Sequence, residues 1–171
     1  TMLTTAPRTI SLTALACASL IALETVAATP LVELAGVAFE GGAHTHFGAT
    51  HYGRTEVNYV YAQSTGAAAS MTARFQLERV PRSRLFLHLE AMDDDAPSPC
   101  RVRLTLNGEI LHDGPSGFPD ARWASHRFPV PAGALRAGAN ELTIVNLEKT
   151  GPLGAPPWFM VARAALAGSN Y

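Results

Sequence analysis

The chain has 171 residues, of which 47% are hydrophobic and 16% charged, and its formal net charge is −1. Nucleic-acid-binding proteins usually carry a basic excess or a basic stripe, so this balance argues against a nucleic-acid partner. The length suits one ordinary domain with a single hydrophobic core.

Residues 1–28 have the pattern of a secretory signal. A short segment with one basic residue, Arg8, is followed by an uncharged apolar run from Ile10 to Leu23 and then by small residues up to Ala28. The run is too short to span a bilayer comfortably. We predict cleavage after Ala28, which leaves residues 29–171 as a single exported domain without a membrane span. A buried amphipathic helix and lipid attachment at Cys17 are the alternatives.

The mature chain would contain one cysteine, Cys100, so an internal disulfide is excluded and stability must come from packing. A lone cysteine between Pro99 and Arg101 is usually a bystander, and no partnering base marks it as catalytic.

Residues 44–52 form the densest unusual cluster in the chain. His44 and His46 stand two residues apart, which places them on one side of an extended strand, and His51 and Tyr52 follow. Three histidines would suit a zinc site with one open position, as in a metal-dependent enzyme. Nearby glycines indicate a loop, so a sugar-contacting loop that uses His44, His46 and Tyr52 and an ordinary surface loop are both open alternatives.

Apolar residues recur with a period of two along the mature chain, which predicts strands. Leu85, Leu87 and Leu89 alternate with Phe86, His88 and Glu90, and residues 72–78 and 101–106 repeat the pattern. Strands are predicted at 31–39, 56–62, 72–78, 84–90, 101–106, 109–112, 122–128, 141–147 and 158–166. One helical turn is predicted at 131–136. About nine strands without crossover helices predict an all-β, two-sheet antiparallel sandwich, jelly-roll-like in type.

Several aromatic residues are candidates for binding a sugar, because flat rings pack against the C–H faces of sugars while polar groups bind the hydroxyls. Phe86, His88 and Glu90 share the polar face of one predicted strand, and Tyr59, Tyr61 and Trp123 complete the set. The alternative is that a loop or the second sheet covers Phe86. Trp158, in an apolar strand, is interpreted as a core residue.

Asp93, Asp94 and Asp95 follow a predicted strand and precede Pro97 and Pro99. Three carboxylates on a stiffened turn suit Ca²⁺, which prefers six to eight oxygen ligands. The alternative is a solvated loop that keeps a strand end soluble.

The segment from Arg101 to Glu148 carries a family pattern. Leu106-Asn107-Gly108 predicts a hairpin, Trp123 to Phe128 follows, and Pro129-Val130-Pro131 leads to Gly138-Ala139-Asn140-Glu141-Leu142-Thr143-Ile144. This order resembles the galactose-binding-domain-like β-sandwich superfamily, which includes carbohydrate-binding modules and the sugar-binding jelly rolls of glycoside hydrolases and polysaccharide lyases. The resemblance implies a β-sandwich and suggests a glycan ligand. Members with structural calcium often use an acidic residue near the chain end, and residues 161–166 contain none.

We therefore expect a non-catalytic carbohydrate-binding or accessory module that is secreted, periplasmic or displayed at the cell surface. No nucleophile elbow, His-Glu-x-x-His helix or phosphate-binding glycine loop indicates an enzyme. The alternatives are a structural or protein-interaction domain of a cell-surface assembly and a small polysaccharide-degrading or metal-dependent enzyme.

Overall fold

The computed structural model describes residues 29–42, 46–94, 98–169 and 171, with only the backbone for residues 46–50. Within these residues two 3-10 helices occur, at Gly36–Ala38 and Gln63–Ala69, and the strands are β1 (Val32–Ala35), β2 (Glu40–Gly41), β3 (His46–His51), β4 (Arg54–Tyr61), β5 (Ser70–Leu77), β6 (Leu85–Asp94), β7 (Arg101–Leu106), β8 (Glu109–Pro115), β9 (Ala124–Pro129), β10 (Gly138–Asn146) and β11 (Trp158–Gly168). The predicted signal at 1–28 lies outside the described residues, so its cleavage stays a prediction.

The strands form two antiparallel sheets that pack face to face. The first sheet has the order β3-β4-β11-β6-β9, and β1 also pairs with β11. The second has the order β2-β5-β10-β7-β8. The predicted two-sheet antiparallel sandwich is thus confirmed.

The core between the sheets follows the predicted alternation. Leu85, Leu87 and Leu89 on β6 face Val102 and Leu104 on β7, and all five are buried. The same core holds Cys100, which is fully buried. Burial of alternate side chains stabilises the sandwich because it removes the apolar face of each sheet from water.

Halfway along strand β11, the set of alternate residues that point into the core changes. Its pairing with β6 shifts register between Val161 and Arg163, which identifies a β-bulge at Ala162. Before the bulge Phe159 and Val161 point into the core, and after it Ala164 and Leu166 do so. Trp158 and Met160 therefore lie on the outer face of the first sheet, where a second buried cluster forms.

The hairpin predicted at Asn107-Gly108 is present. Both residues have positive φ, 52° and 89°, as the favoured two-residue hairpin turn requires. The Asn107 Nδ2 donates to Asn140 Oδ1 at 2.7 Å, and the same Oδ1 accepts from the Arg136 backbone N–H at 3.0 Å. Asn140 is buried, so these bonds fix the turn that leads into β10.

Two local predictions are wrong. The glycine-flanked segment interpreted as a loop includes strand β3, which pairs with β4 at the sheet edge. Gly48 lies within this strand, whereas Gly42 and Gly53, which have positive φ, lie outside it. Residues 131–136 do not form a helical turn, because Ala134 N–H bonds to Pro131 O in an isolated turn.

Across the residues that the structure describes, no helix has the length and hydropathy needed to cross a membrane.

Candidate functional site: an aromatic cleft at the end of the first sheet

The outer face of the first sheet carries rows of large side chains at one end. Register places Tyr61, Trp158 and Asp94 side by side on β4, β11 and β6. Tyr59, Met160 and Met92 form the next row. Directly opposed residues point to the same face, so the two rows make one apolar floor with a carboxylate at its margin.

An open cleft of about 530 Å³ lies over this floor. Its volume is within the range of small-molecule sites. The cleft combines aromatic rings with a carboxylate, an imidazole and a glycine-proline loop, and its lining residues are His51, Tyr52, Tyr59, Tyr61, Asp94, Gly154, Ala155, Pro156 and Trp158.

The rings of the cleft contact one another in defined geometries. Tyr59 packs edge-on to Trp158 with 5.1 Å between ring centroids, and it stacks on Tyr61 at 6.0 Å with an interplanar angle of 14°. The Tyr52 ring lies 6.2 Å from Trp158. These separations are in the favourable range for aromatic pairs, so the rings hold one another in place before any ligand arrives.

The phenols of the floor remain protonated over the whole ordinary pH range. Burial, followed by the neighbouring Tyr61, raises the pKa of Tyr59 far above its ordinary value, and burial also raises the pKa of Tyr61. The Tyr59 hydroxyl lies 2.8 Å from His51 Nδ1. Neutral hydroxyls and an imidazole can both donate and accept hydrogen bonds, which is the chemistry that sugar hydroxyls match.

Tyr52 forms the exposed wall of the cleft and is held by its neighbours. Its side chain is 52% exposed, and its backbone has a φ of 46° in the left-handed region. Its carbonyl accepts the indole N–H of Trp123 at 2.7 Å. Arg54 lies 6.0 Å from the Trp123 ring centroid and forms an ion pair with Glu90. The chain of contacts from Glu90 to Tyr52 therefore fixes the turn between β3 and β4.

Asp94 is the ionisable group at the margin of the cleft. Burial raises the pKa of its carboxyl above the ordinary value, and the charge of Asp120 and a hydrogen bond to that side chain raise it further. Two carboxylates this close repel when both are ionised, so one proton between them is favoured.

The structure brings some of the predicted binding residues together and separates others. Tyr52, Tyr61 and Trp123 meet at the cleft, and Glu90 is linked to them through Arg54. Phe86 and His88 lie on the same face but toward the other end of β6. Eight residues separate Phe86 from Asp94, which corresponds to about 27 Å along a strand.

His44 lies outside the described residues. Of His46 the structure describes the backbone, which pairs with Val57 at the start of β3. Their predicted contact with a ligand stays a prediction.

Two of the three predicted metal-binding aspartates, Asp93 and Asp94, do not project together from a loop. Strand β6 extends through Asp94, so Asp93 and Asp94 point to opposite faces. Asp93 is buried, and its Oδ2 accepts hydrogen bonds from Cys100 N at 2.9 Å and from the Ser116 hydroxyl. Asp95 lies outside the described residues. Among those that are described, no group of three acidic, histidine or cysteine side chains is arranged to hold a metal ion.

Two contributors to the cleft have a role that differs from the one predicted from the sequence. Trp158 was assigned to the core because its strand is apolar throughout, and only the outer cluster reveals its position. Tyr59, a predicted sugar-binding candidate, lines the cleft beside Tyr61 and Trp158. Asp94 was interpreted as a metal ligand and also lines the cleft.

No protein-family model matches the chain, and no curated protein matches it either. Solved structures do match. A family 35 carbohydrate-binding module from an environmental isolate has 15% identity and a TM-score of 0.52, with 81% of this chain and 94% of that chain covered. A family 36 carbohydrate-binding module in complex with calcium and xylotriose has 13% identity and a TM-score of 0.51, with 80% and 99% covered.

A family 115 4-O-methyl-α-glucuronidase with specificity for decorated arabinogalactans has 10% identity and a TM-score of 0.59 over 87% of this chain, which corresponds to 19% of that enzyme. At these identities the likeness concerns the fold. The predicted resemblance is confirmed at that level: the chain has the β-sandwich fold of carbohydrate-binding modules.

Proposed function

We propose that this protein is a non-catalytic carbohydrate-binding module that binds a neutral glycan in the aromatic cleft. The observation that carries the proposal is an open cleft of about 530 Å³ with an aromatic floor, an exposed aromatic wall and polar groups at its margin. The wall, Tyr52, and the floor residue Trp158 can pack against C–H faces of a sugar, while His51 and Asp94 can bind its hydroxyls.

The pre-organisation of the cleft supports this assignment. Ring-to-ring contacts and the Trp123–Tyr52 hydrogen bond hold the wall and floor in place without a ligand. Side chains that are already ordered lose little conformational freedom on binding, so weak contacts with hydroxyls and C–H groups add up to a useful affinity. Export of the mature chain, predicted from residues 1–28, is part of the proposal and would place the cleft where polysaccharides occur.

Calcium is proposed at one position only, the Asp94–Asp120 pair. The two carboxyl groups are close enough to hydrogen-bond, and a divalent cation would relieve their repulsion when both are ionised. Asp93 does not fit this role, because Cys100 and Ser116 already bind its Oδ2. The role of Asp95 as a metal ligand stays a prediction from the sequence, because this residue lies outside the described residues.

The binding proposal is tested with Tyr52→Ala, since removal of an exposed side chain leaves the core intact. We expect retardation of the protein by soluble xylan, mannan or arabinogalactan in affinity electrophoresis, and a loss of about tenfold in affinity in the variant. Ile110→Ala, at a residue that is 55% exposed on the second sheet, is the matched control and should bind as the parent does. Absence of retardation by all three polysaccharides, or an unchanged affinity in Tyr52→Ala, would overturn the proposal.

A further inference from the structure

We propose a second binding site at the opposite end of the first sheet, formed by Arg84, Arg127 and Phe86, for the anionic groups of an acidic polysaccharide. This site is independent of the aromatic cleft and does not rest on the proposed function.

Two guanidinium groups flank one aromatic ring at this end. The Arg84 guanidinium carbon lies 5.2 Å from the Phe86 ring centroid, and that of Arg127 lies 5.1 Å from it. The two cations are therefore no farther apart than the sum of these distances. Phe86 itself is 9% exposed while both arginines are exposed, so the ring supports the two charged groups from beneath.

Neither arginine has an acidic partner among the described residues. In the described part of the chain, the ion pairs involve Arg54, Arg74, Arg103 and Arg163, each with a glutamate or aspartate. Arg84 and Arg127 belong to none of them. Two neighbouring cations without a counter-charge repel one another, so an oxyanion between them would remove a repulsion and gain charge-assisted hydrogen bonds.

A partly buried histidine, His88, borders this site. His88 lies opposite Arg127 in the strand register, and its ring contacts Phe86 and Tyr171. Burial lowers the pKa of His88 most, a hydrogen bond to the Gly168 backbone opposes this effect, and the charges of Arg127 and Arg163 lower the pKa further. Of these two arginines, Arg163 is already paired with Glu33 at 2.9 Å, whereas Arg127 has no carboxylate partner in the ion pairs of the described residues.

A preformed cleft adjoins the pair. It measures about 430 Å³ and lies between the loop before β6 and the loop after β9. Arg84 belongs to its lining together with Arg82, Val80, Pro81, Val130 and Pro131. The Val130 N–H donates to Leu85 O at 3.0 Å and so joins the two loops.

The shape of this surface favours a slender ligand. A stable complex with a globular protein buries about 800 Å² on each partner, usually around a central apolar patch. Here a cleft of about 430 Å³ with proline and valine walls stands beside the exposed Arg84 and Arg127, and the exposed Arg82 also lines it. That combination suits a sugar chain whose rings contact the apolar walls and whose carboxylate or sulfate groups meet the guanidiniums.

The test compares three polymers with the same sugar backbone: uncharged dextran, carboxymethyl-dextran and dextran sulfate. We expect binding of at least one charged polymer, no binding of dextran at this site, and weaker binding as ionic strength rises. The variant Arg84→Gln/Arg127→Gln should lose about tenfold in affinity for each arginine removed. The matched control Arg101→Gln/Lys149→Gln removes the same charge from exposed residues elsewhere and should bind as the parent does.

A second readout separates a local site from general attraction. Binding of the charged polymer should raise the pKa of His88, followed by the NMR signals of its imidazole, because the anion offsets the field of Arg127. The proposal would be overturned if the two double variants lost affinity equally or if the His88 signal did not move. It would also be overturned if polyglutamate bound more strongly than either charged dextran, because that result would point to an acidic protein as the ligand. Tyr52→Ala should leave this binding unchanged, so failure here is distinguishable from failure of the neutral-glycan proposal.

Discussion

Asp94 is a residue whose charge costs stability in the folded chain. Its pKa is raised above the ordinary value of 3.8, mainly by burial and then by Asp120. A carboxyl that binds its proton more tightly when folded loses stability as pH rises through its folded pKa. The penalty is absent at pH values below 3.8 and grows as the pH rises through the folded pKa.

The substitution Asp94→Asn removes that penalty. In chelator we expect a higher melting temperature than the parent at neutral pH, and a difference that shrinks as the pH falls toward about 4. Thermal unfolding of both proteins across this range is the measurement. With calcium added, the parent should gain stability and Asp94→Asn should not; equal responses to calcium would contradict the Asp94–Asp120 site.

Trp123 is a positioning residue for the exposed wall of the cleft. Trp123→Phe keeps an aromatic ring and removes the N–H that bonds to the Tyr52 carbonyl. One lost hydrogen bond predicts a three- to tenfold weaker glycan affinity, as an order of magnitude. In a Tyr52→Ala background the same substitution should have almost no further effect, because Trp123 acts through Tyr52. Independent effects in this double-mutant cycle would show that Trp123 contacts the glycan itself.

At the scale of elements, the 3-10 turn after β1 packs without space against the first sheet. A Cβ added at Gly36 would collide with backbone atoms of Val161, Glu56 and Val57, which cannot move independently of β11 and β4. The close approach lets the segment from β1 to β2 cross from one sheet to the other.

Gly36→Ala should therefore destabilise the sandwich by about 1–3 kcal/mol in urea unfolding. Gly168→Ala is the matched control, since a Cβ there meets nothing within 4 Å. We expect the control to unfold at the parent's midpoint. A Gly36→Ala variant as stable as the control would show that β4 and β11 can separate locally.

On the scale of the whole molecule, β6 connects the two proposed binding sites, one with aromatic rings and a carboxylate and the other with two arginines. Asp94 ends this strand at the aromatic cleft, and Phe86 lies near its start beneath two arginines. The separation of about 27 Å exceeds the screening length of about 8 Å at physiological ionic strength, so each site should respond to its own ligand.

Combining Tyr52→Ala with Arg84→Gln/Arg127→Gln tests this separation. The change in stability of the combined variant should equal the sum of the separate changes to within about 0.5 kcal/mol, because distant sites without shared partners are additive. Urea unfolding of the four proteins provides the comparison. A larger deviation would mean that β6 couples the two ends.

The sequence by itself determined the layered fold. Alternation at Leu85, Leu87 and Leu89 and the Asn107-Gly108 turn are local signals, because side-chain direction in a strand and positive φ in a tight turn depend only on neighbouring residues. Strand β3 was missed because an edge strand is held by backbone pairing and needs no apolar period.

Only the tertiary structure decided which aromatic residues meet. Trp158 faces outward because a bulge at Ala162 changes which alternate residues of β11 point into the core. Tyr61 and Asp94 become its neighbours through pairing between strands that are far apart in the chain. Register between distant strands depends on the packing of both sheets together, so no local pattern in the sequence specifies it.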